Sequence, residues 1–169
     1  MLRCVPGNLC WVGTEDQVVK FWDDVKDKLG LSASDTESVP EAWPFGTEDN
    51  PELADQLLAL VLDGTKTGTA SALWCYEDGE PTPYEGEISI ILDGAGEPKA
   101  VIRTASIDIV PFDEVTEEHA FSEGEGDRTL ASWRRDHESF FGHVLQDGKP
   151  FSPTMPVICE RFDLLWPAP

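Results

Sequence analysis

At Gly64 the hydrophobic pattern of this 169-residue chain changes period, and no other feature constrains the fold as much. Before Gly64, the residues Leu53, Leu57, Leu60 and Val61 form an apolar stripe at helical spacing. Asn50 stands as its cap and Pro51 lies in its first turn. After Gly64 the chain reads as strands over residues 67–76, 88–92, 99–110 and 157–166, with Asp93-Gly-Ala-Gly96 as a hairpin turn between the second and third. An earlier helix is expected over 14–30. Thr14 and Gln17 form its capping box, and Val18, Phe21, Trp22, Val25 and Leu29 form its apolar face. Residues 31–49 read as a loop whose Trp43-Pro-Phe-Gly46 docks against the rest of the chain. A last helix is expected over 127–145, burying Leu130, Trp133, Phe140, Phe141 and Val144. Few strands, long connections and helices at the ends predict an α+β fold built on a small, mixed, largely antiparallel sheet or barrel.

The charge balance narrows the choice of partner. There are 33 acidic residues against 12 basic ones, for a net charge of -21. Nonspecific binding to a phosphate backbone depends on Lys and Arg displacing counterions, and adhesion to anionic lipid depends on the same charges. A small or weakly charged ligand is therefore favoured, and a membrane is not expected as a partner. The chain has no run of the ~18 apolar residues that would read as a membrane span. Its first ten residues are too short and too broken by Pro6 and Gly7 for a signal peptide. Cys4, Cys10, Cys75 and Cys159 lack zinc-site spacing and are too few and scattered for a disulfide framework. These features predict a cytoplasmic protein.

Two segments carry chemistry. Gly64-Thr-Lys-Thr-Gly-Thr-Ala-Ser71 offers the Lys66 amine and the hydroxyls of Thr67, Thr69 and Ser71 on a tight backbone, and Glu123-Gly-Glu-Gly-Asp127 offers carboxylates on a backbone able to approach a small ligand. Partial burial at the mouth of the fold would lower the Lys66 pKa and make it a base or an oxyanion partner. In a regular strand Lys66 and Thr69 would face opposite sides, so their convergence needs the chain to be still turning at Gly68. Structural readings stand beside these: Lys66 complements the end of a helix, and Asp127 caps the next one. Three carboxylates would suit a hard cation, but too few ligands are present for a metal site to be expected. Trp43, Phe45, Trp74 and Tyr76 could offer a stacking surface for a base, beside the structural reading that aromatics near strands are mostly core.

The helix followed by Asp63-Gly-Thr-Lys-Thr-Gly-Thr-Ala-Ser71, then Pro111-Phe-Asp-Glu-Val115, then Glu123-Gly-Glu-Gly-Asp-Arg-Thr-Leu130 with Trp133 and His137, resembles the longer bacterial members of the ASCH domain family. Trp43-Pro-Phe-Gly46 and Leu53-Ala-Asp-Gln-Leu57 add to the match. The resemblance implies a PUA-like fold, a small β-barrel flanked by helices, over residues 43–169, with 1–42 as an N-terminal helix and loop extension. It implies a cleft for RNA-related ligands and needs no cofactor. Some small members hydrolyse N4-acetylcytidine through a Lys and a Thr of a G-x-K-x-x-T motif and a later Glu. Carried over, these are Lys66, Thr69 and a glutamate of the acidic turn, Glu125 before Glu123. A ligand would then meet Trp43, Phe45, Gly64, Thr67, Ser71, Glu123, Asp127, Arg128 and Trp133. The chain departs from the family at Gly68, where a larger residue is common, and this loosens the turn that must align Lys66 with Thr69.

The leading expectation is an amidohydrolase acting on an acylated nucleoside, in which Thr69 attacks the amide carbonyl, Lys66 takes its proton, and Glu125 handles protons on the exocyclic nitrogen or orients the base. The alternative is an RNA-binding protein or ribonuclease in which Lys66, Arg103, Arg128, Arg134 and Arg135 form a basic strip. A non-catalytic interaction module stands last.

Overall fold

The computed structural model describes residues 15–47, 50–76, 79–145 and 150–167. Helix α2 spans Pro51–Leu62, and the Asn50 side chain accepts from the Leu53 N–H at its start. Asp63 caps its end, and Gly64 turns the chain at φ 79°, where any other residue would be strained. The Lys66 N–H then donates to the Leu60 carbonyl at 2.9 Å, tying the functional segment to the last turn of the helix.

The described residues contain five strands, β1 Glu41–Pro44, β2 Gly68–Ala72, β3 Ile88–Leu92, β4 Pro98–Pro111 and β5 Pro156–Trp166, the last four from the β-period segments. They form one curled half-barrel sheet in the order β1-β3-β4-β5-β2. Among the described strands only β1 and β3 run parallel; the other pairs are antiparallel. The hairpin expected at Asp93–Gly96 joins β3 to β4, with the Gly96 N–H donating to the Asp93 carbonyl at 2.9 Å. The strand expected over 67–76 is shorter, because Leu73–Cys75 closes into a 3-10 turn. Trp43 and Pro44, expected in a loop, are part of β1. Cys75 is disulfide-bonded, against the expectation that the scattered cysteines would not be bridged, and Cys159 is a buried free thiol.

Helix α1, Glu15–Val25, lays Trp22 and Val25 on Ile90, Leu92 and Val101 of one sheet face. A 3-10 turn over Lys26–Lys28 extends it towards Gly30. Thr14 of the expected capping box lies outside the described residues. By strand alternation, Ile91, Ile102 and Phe162 face the other way, into a larger core that also contains Trp43 and Phe45. Helix α3, Glu117–Glu123, has no counterpart in the sequence pattern. Thr116 caps it and Gly124 ends it at φ 73°. Helix α4 spans Leu130–Val144, and its cap is Thr129 instead of Asp127. Asp127 instead holds the Thr129 N–H and hydroxyl at 3.0 and 2.7 Å, one step earlier in the turn.

Candidate active site

Lys66 lies at the centre of a buried polar cluster. Its backbone is pinned by Leu60, and its neighbour Thr67 donates its N–H to the Ser122 carbonyl at 2.8 Å while accepting from the Phe162 N–H at 3.0 Å. The segment is thus strapped between α2, the end of α3 and β5. An ammonium has three donors. Those of Lys66 go to Glu125 Oε1 at 2.7 Å, Glu123 Oε2 at 3.1 Å and the Glu123 carbonyl at 3.4 Å. The Nζ also lies 5.3 Å above the ring of Phe45.

Glu123 is the last residue of α3, and its side chain is wholly buried. Its Oε1 accepts from Trp133 Nε1 at 2.7 Å and from His119 Nε2 at 3.1 Å, and His137 Nε2 lies 3.4 Å away. His137 is fixed by donating Nδ1–H to the Trp133 carbonyl at 2.9 Å and by stacking on the Trp133 ring at 4.0 Å. Burial alone would raise the Glu123 pKa. The charge on Lys66, then His137 and the His119 bond, hold it well below the usual carboxylate range. Burial likewise works to lower the Lys66 pKa, but Glu125 and then Glu123 outweigh it and leave it above the ordinary lysine value. The expectation of a lysine with a lowered pKa is therefore reversed. The mouth expected around Lys66 is instead formed by Glu125, whose side chain is 21% exposed while that of Lys66 is 0%.

Gly68 also behaves differently from expectation. It is the first residue of β2, and a Cβ there would lie 2.3 Å from Ser122 Oγ and 3.2 Å from the Glu160 carbonyl. Gly68 therefore closes α3 onto the sheet, whereas the turn that positions Lys66 is made at Gly64. The acidic loop is held as tightly. A Cβ on Gly124 would meet the Thr65 carbonyl at 2.7 Å, so this backbone approaches the Lys66 segment itself.

The remaining expected residues divide into three groups. Thr69 and Ser71 are buried on β2, with Ser71 Oγ 3.4 Å from the Tyr76 hydroxyl. Trp43 and Phe45 pack edge to face at 4.9 Å within the core, and Trp133 supports Glu123. Asp127 and Arg128 lie outside the cluster. Arg128 is held in a left-handed conformation at φ 62°, its guanidinium stacked 3.6 Å from the ring centre of the exposed Phe121. The basic strip loses its central member, since Lys66 is buried. Arg103 lies 3.7 Å from Asp35, Arg134 donates to the Asp113 carbonyl at 2.7 Å, and Arg135 lies 3.0 Å from Asp136.

Residues the sequence did not single out stand with Thr69 on one face of the sheet. The β2–β5 register sets Thr69 opposite Glu160, and the β4–β5 register sets Thr104 opposite Phe162. Thr69, Glu160 and Thr104 therefore share one sheet face, and Ser89, opposite Ile102, belongs to it as well. All four are buried. Thr104 donates its hydroxyl to Glu160 Oε2 at 3.3 Å. The alternation of Glu160 with Ile158 and Phe162 was the available signal, since it places a carboxylate on a core-facing strand position. Among the described residues, no three of His, Cys, Asp and Glu form a metal-binding group, and no helix is long and apolar enough to cross a membrane.

A curled five-stranded sheet flanked by helices, with a buried lysine–glutamate cluster at its edge, defines an α+β protein of PUA-like architecture. The model of the ASCH domain matches residues 41–165, and the chain belongs to the ASCH domain family, whose fold is often associated with RNA binding. Solved structures similar to it include the following two. An ASCH domain from Lactobacillus crispatus JV V101 is 26% identical, with a TM-score of 0.79 over 93% of this chain and 99% of that one. The protein EF3133 from Enterococcus faecalis V583, described by the family model DUF984, is 32% identical, with a TM-score of 0.74 over 89% and 94%. No curated protein matches the chain.

Proposed function

We propose that the chain binds an RNA-derived ligand beside Lys66 and acts as an amidohydrolase on an acylated nucleoside such as N4-acetylcytidine. The observation that carries this reading is a wholly buried ammonium held by two carboxylates, one of which, Glu125, reaches solvent. A preorganised ammonium in a water-poor site stabilises the negative charge that develops on a carbonyl oxygen when an amide is attacked. The Lys66 donor easiest to redirect is the one that reaches the Glu123 carbonyl at 3.4 Å. Thr69 serves as the nucleophile from β2. Glu125 orients the base by accepting from its exocyclic N–H. Lys66 acts as the oxyanion partner and not as the base, because its proton is held by the carboxylates. A neutral nucleoside suits a chain with a net charge of -21 better than a polyanion does.

The test is to incubate the protein with N4-acetylcytidine and separate the products by chromatography, with a Lys66→Ala variant alongside. Cytidine formed by the wild type and not by the folded variant supports the reading. The absence of turnover by folded wild-type protein overturns it and shifts the weight to RNA binding or cleavage.

A further inference from the structure

The acyl-nucleoside reading leaves one proton without a destination. Thr69 must lose its hydroxyl proton as it attacks, and Lys66, already an ammonium, has no lone pair to accept it. Glu123 is saturated by Lys66, Trp133 and His119. Glu125 approaches from the loop after α3 and is bound to Lys66 at 2.7 Å. A further carboxylate stands on the face that carries Thr69. Glu160 is directly opposite Thr69 across the β2–β5 pair, and facing residues in an antiparallel pair have Cβ atoms about 4.5–5.5 Å apart. Glu160 is 7% exposed and lies on β5 between Ile158 and Phe162, a position where a carboxylate is costly unless it is held or used. The same face leads to the lysine: the Phe162 ring is 6.1 Å from that of Phe45, over which the Lys66 Nζ sits.

We propose that Glu160 is a catalytic residue of this site, the group that takes the proton of Thr69 and returns it to the departing nitrogen. The inference rests on the acyl-nucleoside reading. The Glu160 carboxylate removes the Thr69 proton as Oγ bonds to the acyl carbon, and the charge that forms on the carbonyl oxygen faces Lys66. The C–N bond then breaks, and the proton passes from Glu160 to the nitrogen, releasing cytidine and leaving an acyl ester on Thr69. Water attacks the ester and gives a proton to Glu160. The Thr69 oxygen leaves and takes that proton, freeing the carboxylic acid. Thr104, whose hydroxyl donates to Oε2, holds the carboxylate in place for both transfers.

Glu160→Gln keeps the shape of the side chain and can still accept from Thr104. The experiment measures kcat/KM for N4-acetylcytidine against pH in wild type and Glu160→Gln, together with cytidine affinity by calorimetry and the melting temperature. A general base is worth ~10²-fold or more. The expected result is a loss of that size with the acidic limb of the profile abolished and cytidine affinity within a few-fold of wild type. A variant within a few-fold of wild type that retains its acidic limb overturns the role of Glu160 and leaves the hydrolase reading intact. No turnover by the wild type overturns both. If Glu160→Gln does not fold, Thr104→Val takes its place. Loss of a bond to the charged carboxylate should move the acidic limb to higher pH, and an unmoved limb overturns the proposal.

Discussion

The Lys66 ammonium and the Glu123 carboxylate meet at 3.1 Å with both side chains entirely withdrawn from solvent, although 57 positions separate them in sequence. Neither charge would be stable there alone. Removing one partner of a buried pair leaves the other uncompensated, at ~3–5 kcal/mol. Lys66→Met should therefore destabilise the protein by about that amount at pH 7 in urea denaturation, and Lys66→Met with Glu123→Gln should recover part of the loss. A double variant no more stable than the single one would show that Glu123 is carried by His119 and Trp133 without help from Lys66.

The pH dependence has a defined sign on each side. Glu123 has a depressed pKa in the folded protein, so its contribution is complete above the ordinary value of 4.5 and is lost as pH falls through the depressed value. Lys66 has a raised pKa, so its contribution is complete below the ordinary 10.5 and is lost as pH rises through the raised value. Urea midpoints measured across pH should fall at both ends. Glu123→Gln should flatten the acid side and Lys66→Met the alkaline side.

Gly68→Ala should cost about 1–3 kcal/mol, the range for overpacking a filled interior, because the new methyl group would lie 2.3 Å from Ser122 Oγ. Ser122 donates to the His119 carbonyl at 2.7 Å and cannot rotate away without losing that bond. Adding Ser122→Ala should restore part of the stability, and chemical denaturation of the four members of the cycle measures the coupling.

Thr129→Ala should lower stability by about 1 kcal/mol through loss of the α4 cap. Asp127→Ala should act less strongly, since Asp127 bonds mainly to Thr129, the capping residue itself, and only secondarily to Ser132 of the helix. Thermal denaturation of the two single variants orders them, and a larger effect at Asp127 would reverse the assignment.

The long elements were legible in the sequence because each carries its own signal. Asn50, Pro51 and the leucine stripe mark α2, and alternation marks β3, β4 and β5. The misses have a common cause. β1 is only four residues long, and its parallel pairing with β3 leaves no local pattern. α3 is seven residues, too short for its period to show in Glu117-Glu-His-Ala-Phe-Ser-Glu123. As a result Glu123 read as part of a turn when it is a helical residue aimed inward. Lys66 was found by its motif, but its charge state was misjudged, because that state depends on carboxylates distant in sequence. Glu160 escaped notice although it is in step with Ile158 and Phe162, because only the strand register shows that Thr69 lies opposite it.

The order of the strands sets when the cluster can exist during synthesis. β2 lies at the edge of the sheet, and its strand partner is β5, the last in chain order of the described strands. A nascent chain that has already formed α2 and the β3–β4 hairpin still holds Lys66 and Thr69 on an unpaired segment. The cluster can assemble only after β5 has left the ribosome, so a truncated chain would retain local helices and a hairpin but no site.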